Sequence, residues 1–158
     1  MDAFQLLQRD HQEAIVLMNR IKAEFGKADV SARLEIFHQL KEALMLHARV
    51  EELHVYQVFQ QAEITRDTAK TALEDHRAIK GLLEGLAEMP SSGFEWVAKF
   101  NDLYERVARH MKMEEDELFG HAGEVLTQQE AEELGSKVDV AKKEIRGEAP
   151  APAGGLPE

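Results

Sequence analysis

The sequence predicts an all-α protein: an up-down-up-down four-helix bundle carrying one additional C-terminal helix. Three observations point to it. Apolar residues recur every three to four positions through five stretches, the spacing that lines one face of a helix. Glycine, proline and capping residues punctuate the chain between those stretches, so consecutive helices are joined by short connections and lie antiparallel. No stretch alternates apolar and polar residues as a half-buried strand would.

The first helix is expected over residues 2–25, with Phe4, Leu7, Ile15, Met18 and Phe25 as its apolar stripe. Asp2 followed by Gln5 spells a capping box, and Gly26 is a stop. The second helix starts at Asp29 or Ser31 and runs to about Gln61. Thr65, Asp67 and Thr68 offer caps for the third, whose stripe is Ala69, Leu73, His76, Ile79, Leu83 and Leu86. Met89-Pro90-Ser91-Ser92-Gly93 is a turn, and Ser92 with Glu95 spells a second capping box. The fourth helix then runs from Phe94 to about Phe119, where Gly120 and Gly123 break the pattern. Thr127-Gln-Gln-Glu130 opens the fifth, which continues to about Arg146 with Leu134, Val138 and Ala141 as its apolar side. The domain is therefore expected over residues 1–146, with the bundle in 2–120, the extra helix in 127–146 and a disordered Pro/Ala/Gly-rich tail in 147–158.

Bulk properties narrow the function. A net charge of −11 argues against nucleic acid or an anionic membrane surface as partner. The absence of cysteine removes disulfides, thiolate metal sites and cysteine nucleophiles together. Neither a signal peptide nor an apolar run of about 18 residues is present, so a cytoplasmic protein is expected.

Chemistry concentrates in a repeat. His47-Ala-Arg-Val-Glu51-Glu52 is echoed 63 residues on by His110-Met-Lys-Met-Glu114-Glu115. At about 100° per residue, the fourth neighbour of each histidine sits roughly 40° round and one turn along, so imidazole and carboxylate share a face. That face is apolar, with Leu40, Leu44, Val55 and Val58 in one helix and Phe100, Leu103, Val107 and Leu118 in the other. Asp10-His11 and Asp75-His76 repeat at an offset of 65, placing one histidine among aliphatic residues in each of the other two helices. Taken alone, each is an ordinary core histidine.

Register joins them. With the hairpin turns near positions 28 and 92, His11 and His47 lie 17 and 19 residues from the first, and His76 and His110 lie 16 and 18 from the second. At about 1.5 Å rise per residue, each pair comes level within roughly one helical turn. Six side chains, His11, His47, Glu51, His76, His110 and Glu114, can then meet at one height inside the bundle. Buried carboxylates need positive compensation, which a metal cation gives. Nitrogen and oxygen donors without sulfur suit iron, manganese or zinc, and the count exceeds a four-ligand structural zinc site. Ferritin-like sites pair Glu-x-x-His with lone glutamates on other helices. Here Glu35-x-x-His38 and Glu51-x-x-His54 both fall on one helix, which weakens that alternative.

The order His11, His47-x-x-x-Glu51, His76, His110-x-x-x-Glu114 across residues 2–120 resembles the hemerythrin-like family of HHE cation-binding domains. The resemblance implies a non-haem di-iron centre bridged by Glu51 and Glu114, with His11 and His47 on one iron and His76 and His110 on the other; zinc or manganese could substitute. The sequence departs from the oxygen-carrying members at Lys80, where they have a further histidine, and at Glu114, since their last carboxylate falls one residue later, at Glu115 here. Five residues is a 140° swing off the face, so Glu114 is preferred. The missing histidine turns the expectation from O₂ carriage towards peroxide or nitric oxide chemistry.

Elsewhere, His54 is expected at the rim, His38 at the surface, and His121 without a role. Tyr56 and Tyr104 are expected to point away from the ligand side, and Met18, Met45, Met111 and Met113 to fill core. The functional expectation is a di-iron protein binding O₂, nitric oxide or peroxide as a small ligand. Catalase-like decomposition of hydrogen peroxide is the alternative, followed by iron storage or a structural metal site. As a sensor it would need a separate protein partner.

Overall fold

The computed structural model describes residues 1–147; the tail expected to be disordered lies, apart from Gly147, outside the described residues. Among the described residues there is no strand. Helix α1 (Ala3–Ala23) opens with the Asp2–Gln5 capping box, both reciprocal hydrogen bonds being made, and ends before Gly26, which takes the left-handed φ of +84° that favours glycine. Helix α2 (Ser31–Val50) widens into a π-helical turn at Glu51–Val55 and resumes as α3 (Tyr56–Gln61). Helix α4 (Arg66–Glu88) follows. Helix α5 (Phe94–Met113) repeats the pattern with a π-helical turn at Glu114–Leu118, a 3₁₀ turn at Phe119–His121 and a short α6 (Ala122–Val125). Helix α7 (Gln128–Ile145) begins on the Thr127–Glu130 capping box.

Three expected caps are absent: α2 starts from Val30, α4 starts from Thr65 but its hydroxyl donates to the Phe59 carbonyl, and the third is on α5. Helix α5 starts from Gly93, not Ser92, and no side chain caps it. Arg33 serves this end of the bundle instead, donating from Nη1 to the Ser91 carbonyl at 2.6 Å and from Nη2 to the Glu24 carbonyl at 3.4 Å, which ties the two hairpin turns together.

The hairpins α1–α2 and α4–α5 join through α1–α5 and α2–α4 contacts, giving the closed square of a four-helix bundle. Helix α7 lies across α1 and α2. Its seat needs Gly135: a Cβ there would lie 2.6 Å from the Met1 carbonyl oxygen and 2.9 Å from the Ala3 nitrogen.

Two separate apolar clusters form the interior. One, built around Phe4, Leu7, Val50, Phe59, Leu118 and Phe119, includes Leu134 and Val138 of α7. The other, towards the hairpin turns, holds Met18, Phe37, Leu40, Leu83, Trp96, Phe100 and Leu103. On each long helix a histidine falls where one cluster gives way to the other: His11 between Leu7 and Ala14, His47 between Leu44 and Val50, His76 between Ala72 and Ile79, His110 after Val107 and before Leu118. The sequence thus builds a polar layer into the middle of the bundle. None of the described helices is long and apolar enough to cross a membrane.

Candidate metal centre

All six expected side chains meet in that layer, and all are buried; Glu51 and Glu114 are 0% exposed. They form two overlapping groups, His11–His47–Glu51–Glu114 and Glu51–His76–His110–Glu114, in each of which four nitrogen or oxygen atoms lie within 4.8 Å of one another. The two glutamates belong to both. Each histidine pair comes from one hairpin, with ring centroids 4.9 Å apart in both.

The Nε2 atoms face inward. His11 Nε2 is 3.0 Å from Glu114 Oε1, His47 Nε2 3.2 Å from Glu51 Oε1, His76 Nε2 3.1 Å from Glu51 Oε1 and His110 Nε2 3.5 Å from Glu114 Oε2. The Nδ1 atoms face outward, each within hydrogen-bond distance of a carboxylate. His11 Nδ1 meets Glu115 at 2.7 Å and His76 Nδ1 meets Glu52 at 2.8 Å; His47 Nδ1 meets Asp10 at 2.9 Å and His110 Nδ1 meets Asp75 at 3.1 Å. An imidazole that donates Nδ1–H to a carboxylate presents the Nε2 lone pair inward, the arrangement metal-binding histidines use. The second glutamate of each His-x-x-x-Glu-Glu motif and the aspartate before each lone histidine therefore have a definite place. The sequence displayed both as repeats, and that repetition was the signal that could have found them.

Hydrogen bonding within the layer is incomplete in a telling way. Among the described residues, His11 Nε2, His47 Nε2, Glu51 Oε2 and Glu114 Oε1 are buried side-chain atoms with no hydrogen-bond partner. Two of the four, His11 Nε2 and Glu114 Oε1, lie 3.0 Å apart as an ion pair without hydrogen-bond geometry. All four converge on a common space, as donors around a cation do.

Tyr56 corrects an expectation. Uniform winding at 100° per residue sends it to the side opposite His47, but its hydroxyl sits in the layer. It donates to Glu114 Oε2 or to Glu51 Oε1 (3.1 Å from the latter) and lies 3.0 Å from His76 Nε2 and 3.4 Å from His110 Nε2. The π-helical turn at Glu51–Val55 is the reason: it winds the chain more slowly than an α-helix, so everything after it falls behind the extrapolated phase. Phe119 is the counterpart of Tyr56 at the 63-residue offset, and it stacks on His11 at 6.0 Å with no hydroxyl to offer. The two halves of the layer are thereby made unequal. Tyr104 bonds Asn19 at the surface, His38 is exposed, and His54 is half-buried outside both groups, each as expected.

Charge and burial oppose each other here. Burial works against charge on His47, His76 and His110, but the Glu51 and Glu114 carboxylates, with Asp10 and Glu52, outweigh it: His47 is raised well above its usual value, His76 is pushed up to about 9 and His110 is raised. Burial would raise Glu114, yet its contacts with His11, His110 and His47 hold it well below the usual carboxylate range. Burial and the two glutamate charges push the Tyr56 phenol well up. Without a metal, protons supply the positive charge that the layer demands.

Comparison with known proteins agrees with this construction. The family model described as the hemerythrin HHE cation binding domain matches residues 2–122. The crystal structure of a hemerythrin HHE cation binding domain-containing protein from Mycobacterium kansasii superposes with a TM-score of 0.81 at 24% identity, covering 93% of this chain and 88% of that one. No curated protein matches. With a His/Glu cluster that could hold a metal at the centre of a matching helical bundle, the chain belongs to the hemerythrin HHE cation binding domain family.

Proposed function

We propose that the six side chains hold two metal ions, iron in the working protein, and that the centre binds a small oxidant: O₂, nitric oxide or hydrogen peroxide. The convergence of six buried nitrogen and oxygen ligands into two overlapping groups, four of their atoms making no hydrogen bond, carries the reading. Burying two carboxylates among imidazoles without satisfying every donor and acceptor is costly, even where neighbours lie at ion-pair distance. A cation between them removes that liability. His11 and His47 would hold one ion and His76 and His110 the other, with Glu51 and Glu114 shared between them. Nitrogen and oxygen donors suit iron, manganese or zinc. Bound iron would supply Lewis-acid polarisation and electron exchange with the oxidant.

The chain's own residues set which ligand arrives and what it meets. A cavity of about 160 Å³ touches the four histidines between α2 and α4, with Leu44, Met45, Ile79, Leu83, Val107 and Met111 among its lining and Arg49 and Lys80 at its exposed edge. At about 30 Å³ per water, it has room for a few diatomic or triatomic molecules beside the histidines. Tyr56 presents a protonated hydroxyl beside Glu51 and Glu114. That hydroxyl favours a second reading, peroxide decomposition, because it keeps its proton and would be a hydrogen-bond donor to a peroxide oxygen at the centre, a contact a passive store does not need.

Protein expressed with iron should contain two irons per chain, and His47→Ala or Glu114→Ala should lose metal. One zinc per chain, or full retention in both variants, would defeat the di-iron reading. Many turnovers of O₂ evolution from peroxide would select the enzyme, and a single bleaching event the binder.

A further inference from the structure

Each hairpin carries an aspartate just before its lone histidine, and each aspartate serves a histidine on the adjacent helix. Asp10 Oδ2 pairs with His47 Nδ1 at 2.9 Å and Asp75 Oδ2 with His110 Nδ1 at 3.1 Å. The second oxygen of each aspartate meets a cation. For Asp75 it is Arg106, whose Nη1 lies 3.5 Å from Oδ1 and which stands one turn before His110 on α5. The offset that superposes the two His-x-x-x-Glu motifs puts Ala43 at the matching place on α2. The first hairpin has no cation of its own there. Helix α7 provides one: Lys142 Nζ lies 2.5 Å from Asp10 Oδ1, with side chains only 17% and 14% exposed. Lys142 stands outside the stretch matched by the family, residues 2–122.

We propose that Lys142 is a positioning residue for the metal centre, making α7 a working part of it. The proposal rests on the metal-binding reading above. The ammonium fixes Asp10, and Asp10, bridging two donors, fixes the plane and direction of the His47 ring. His47 Nε2 is then held towards Glu51 and Glu114. Lys142 touches no ligand atom, so its effect is confined to the His11/His47 half. The opposite half takes its support from Arg106, inside its own hairpin. The hold on His47 depends on α7 remaining docked, and the hold on His110 does not.

The full chain is loaded with Zn²⁺ alone and its release to excess chelator is followed. In Lys142→Met one of two equivalents leaves about ten-fold faster, the scale on which such outer partners act, while the other keeps the wild-type rate. Arg106→Met accelerates one equivalent, and combining it with Lys142→Met accelerates both. Lys142→Arg restores slow release. Imidazole nitrogen spectra of metal-free Lys142→Met show the His47 signals moved and those of His110 in place. Val138→Ala, which loosens the α7 core but keeps the ammonium, lowers the melting temperature without splitting the release. Wild-type release of both equivalents from Lys142→Met overturns the proposal, as does equal acceleration of both in Lys142→Met and Val138→Ala. Failure of the metal-binding reading looks different: the wild type itself takes up no zinc, and the positioning role falls with it.

Discussion

Removing metal should turn the central layer into a pH-dependent stabiliser, and His76 sets the scale. Its pKa of about 9 in the folded chain, against 6.5 when exposed, arises although burial opposes it, because hydrogen bonds to Glu51 and Glu52 prevail. At 1.36 kcal/mol per tenfold change in proton affinity, this is about 3 kcal/mol of folding free energy. A raised histidine pKa contributes fully below 6.5 and is lost as pH climbs through about 9. The depressed Glu114 works the other way, contributing above its usual 4.5 and losing that contribution as pH falls. Metal-free protein should therefore be most stable between about pH 4.5 and 6.5. For a chain of this length about 3 kcal/mol corresponds to roughly 6–12 °C, so the thermal midpoint in chelator should drop by at least that much from pH 6.5 to 9.5. His47 and His110, also raised, steepen the fall. Circular dichroism melts across this range make the test. A flat or rising midpoint would refute the argument, as would an unchanged slope in His76→Gln.

Three further outcomes follow from the same geometry. Glu114→Gln removes a buried charge facing three imidazoles and should cost the metal-free protein about 3–5 kcal/mol at pH 6.5 in urea titration, with a shallower pH dependence. Tyr56→Phe should cost about 1–3 kcal/mol in metal-free melts, by leaving Glu114 or Glu51 short of the hydroxyl's one donor. It should leave the tyrosinate absorbance of the folded chain near pH 10 unchanged, since burial holds that phenol protonated. Gly135→Ala forces a methyl against the Met1 carbonyl and should lower the melting temperature by the equivalent of about 1–3 kcal/mol.

The bundle was legible because its helices bury one face each, so periodicity in the stripe of Leu7, Met18 and their counterparts translates directly into packing. The centre was legible for a related reason: hairpin register converts sequence distance from a turn into height along the bundle, and four histidines came out level. Features that depend on departures from ideal winding were not. Tyr56 was misplaced because the π-helical turn beginning at Glu51 is invisible to a fixed 100° step. The Ser92 cap failed because α5 begins one residue later than expected, with Gly93 as its N-cap, which leaves Ser92 a position too early to cap it. Lys142 was beyond reach for a third reason, since nothing local says which side chain of α7 crosses to Asp10.

The two apolar clusters give the bundle a polar waist. On the proposed reading an ion seated there would act as a rivet: it would take histidines from a single hairpin but glutamates from both, so one ion alone would still stitch the halves together. Emptying the second seat would release the seam. On that reading, metal content would become a mechanical property of the molecule, readable as looseness at its middle while the apolar clusters keep both ends closed.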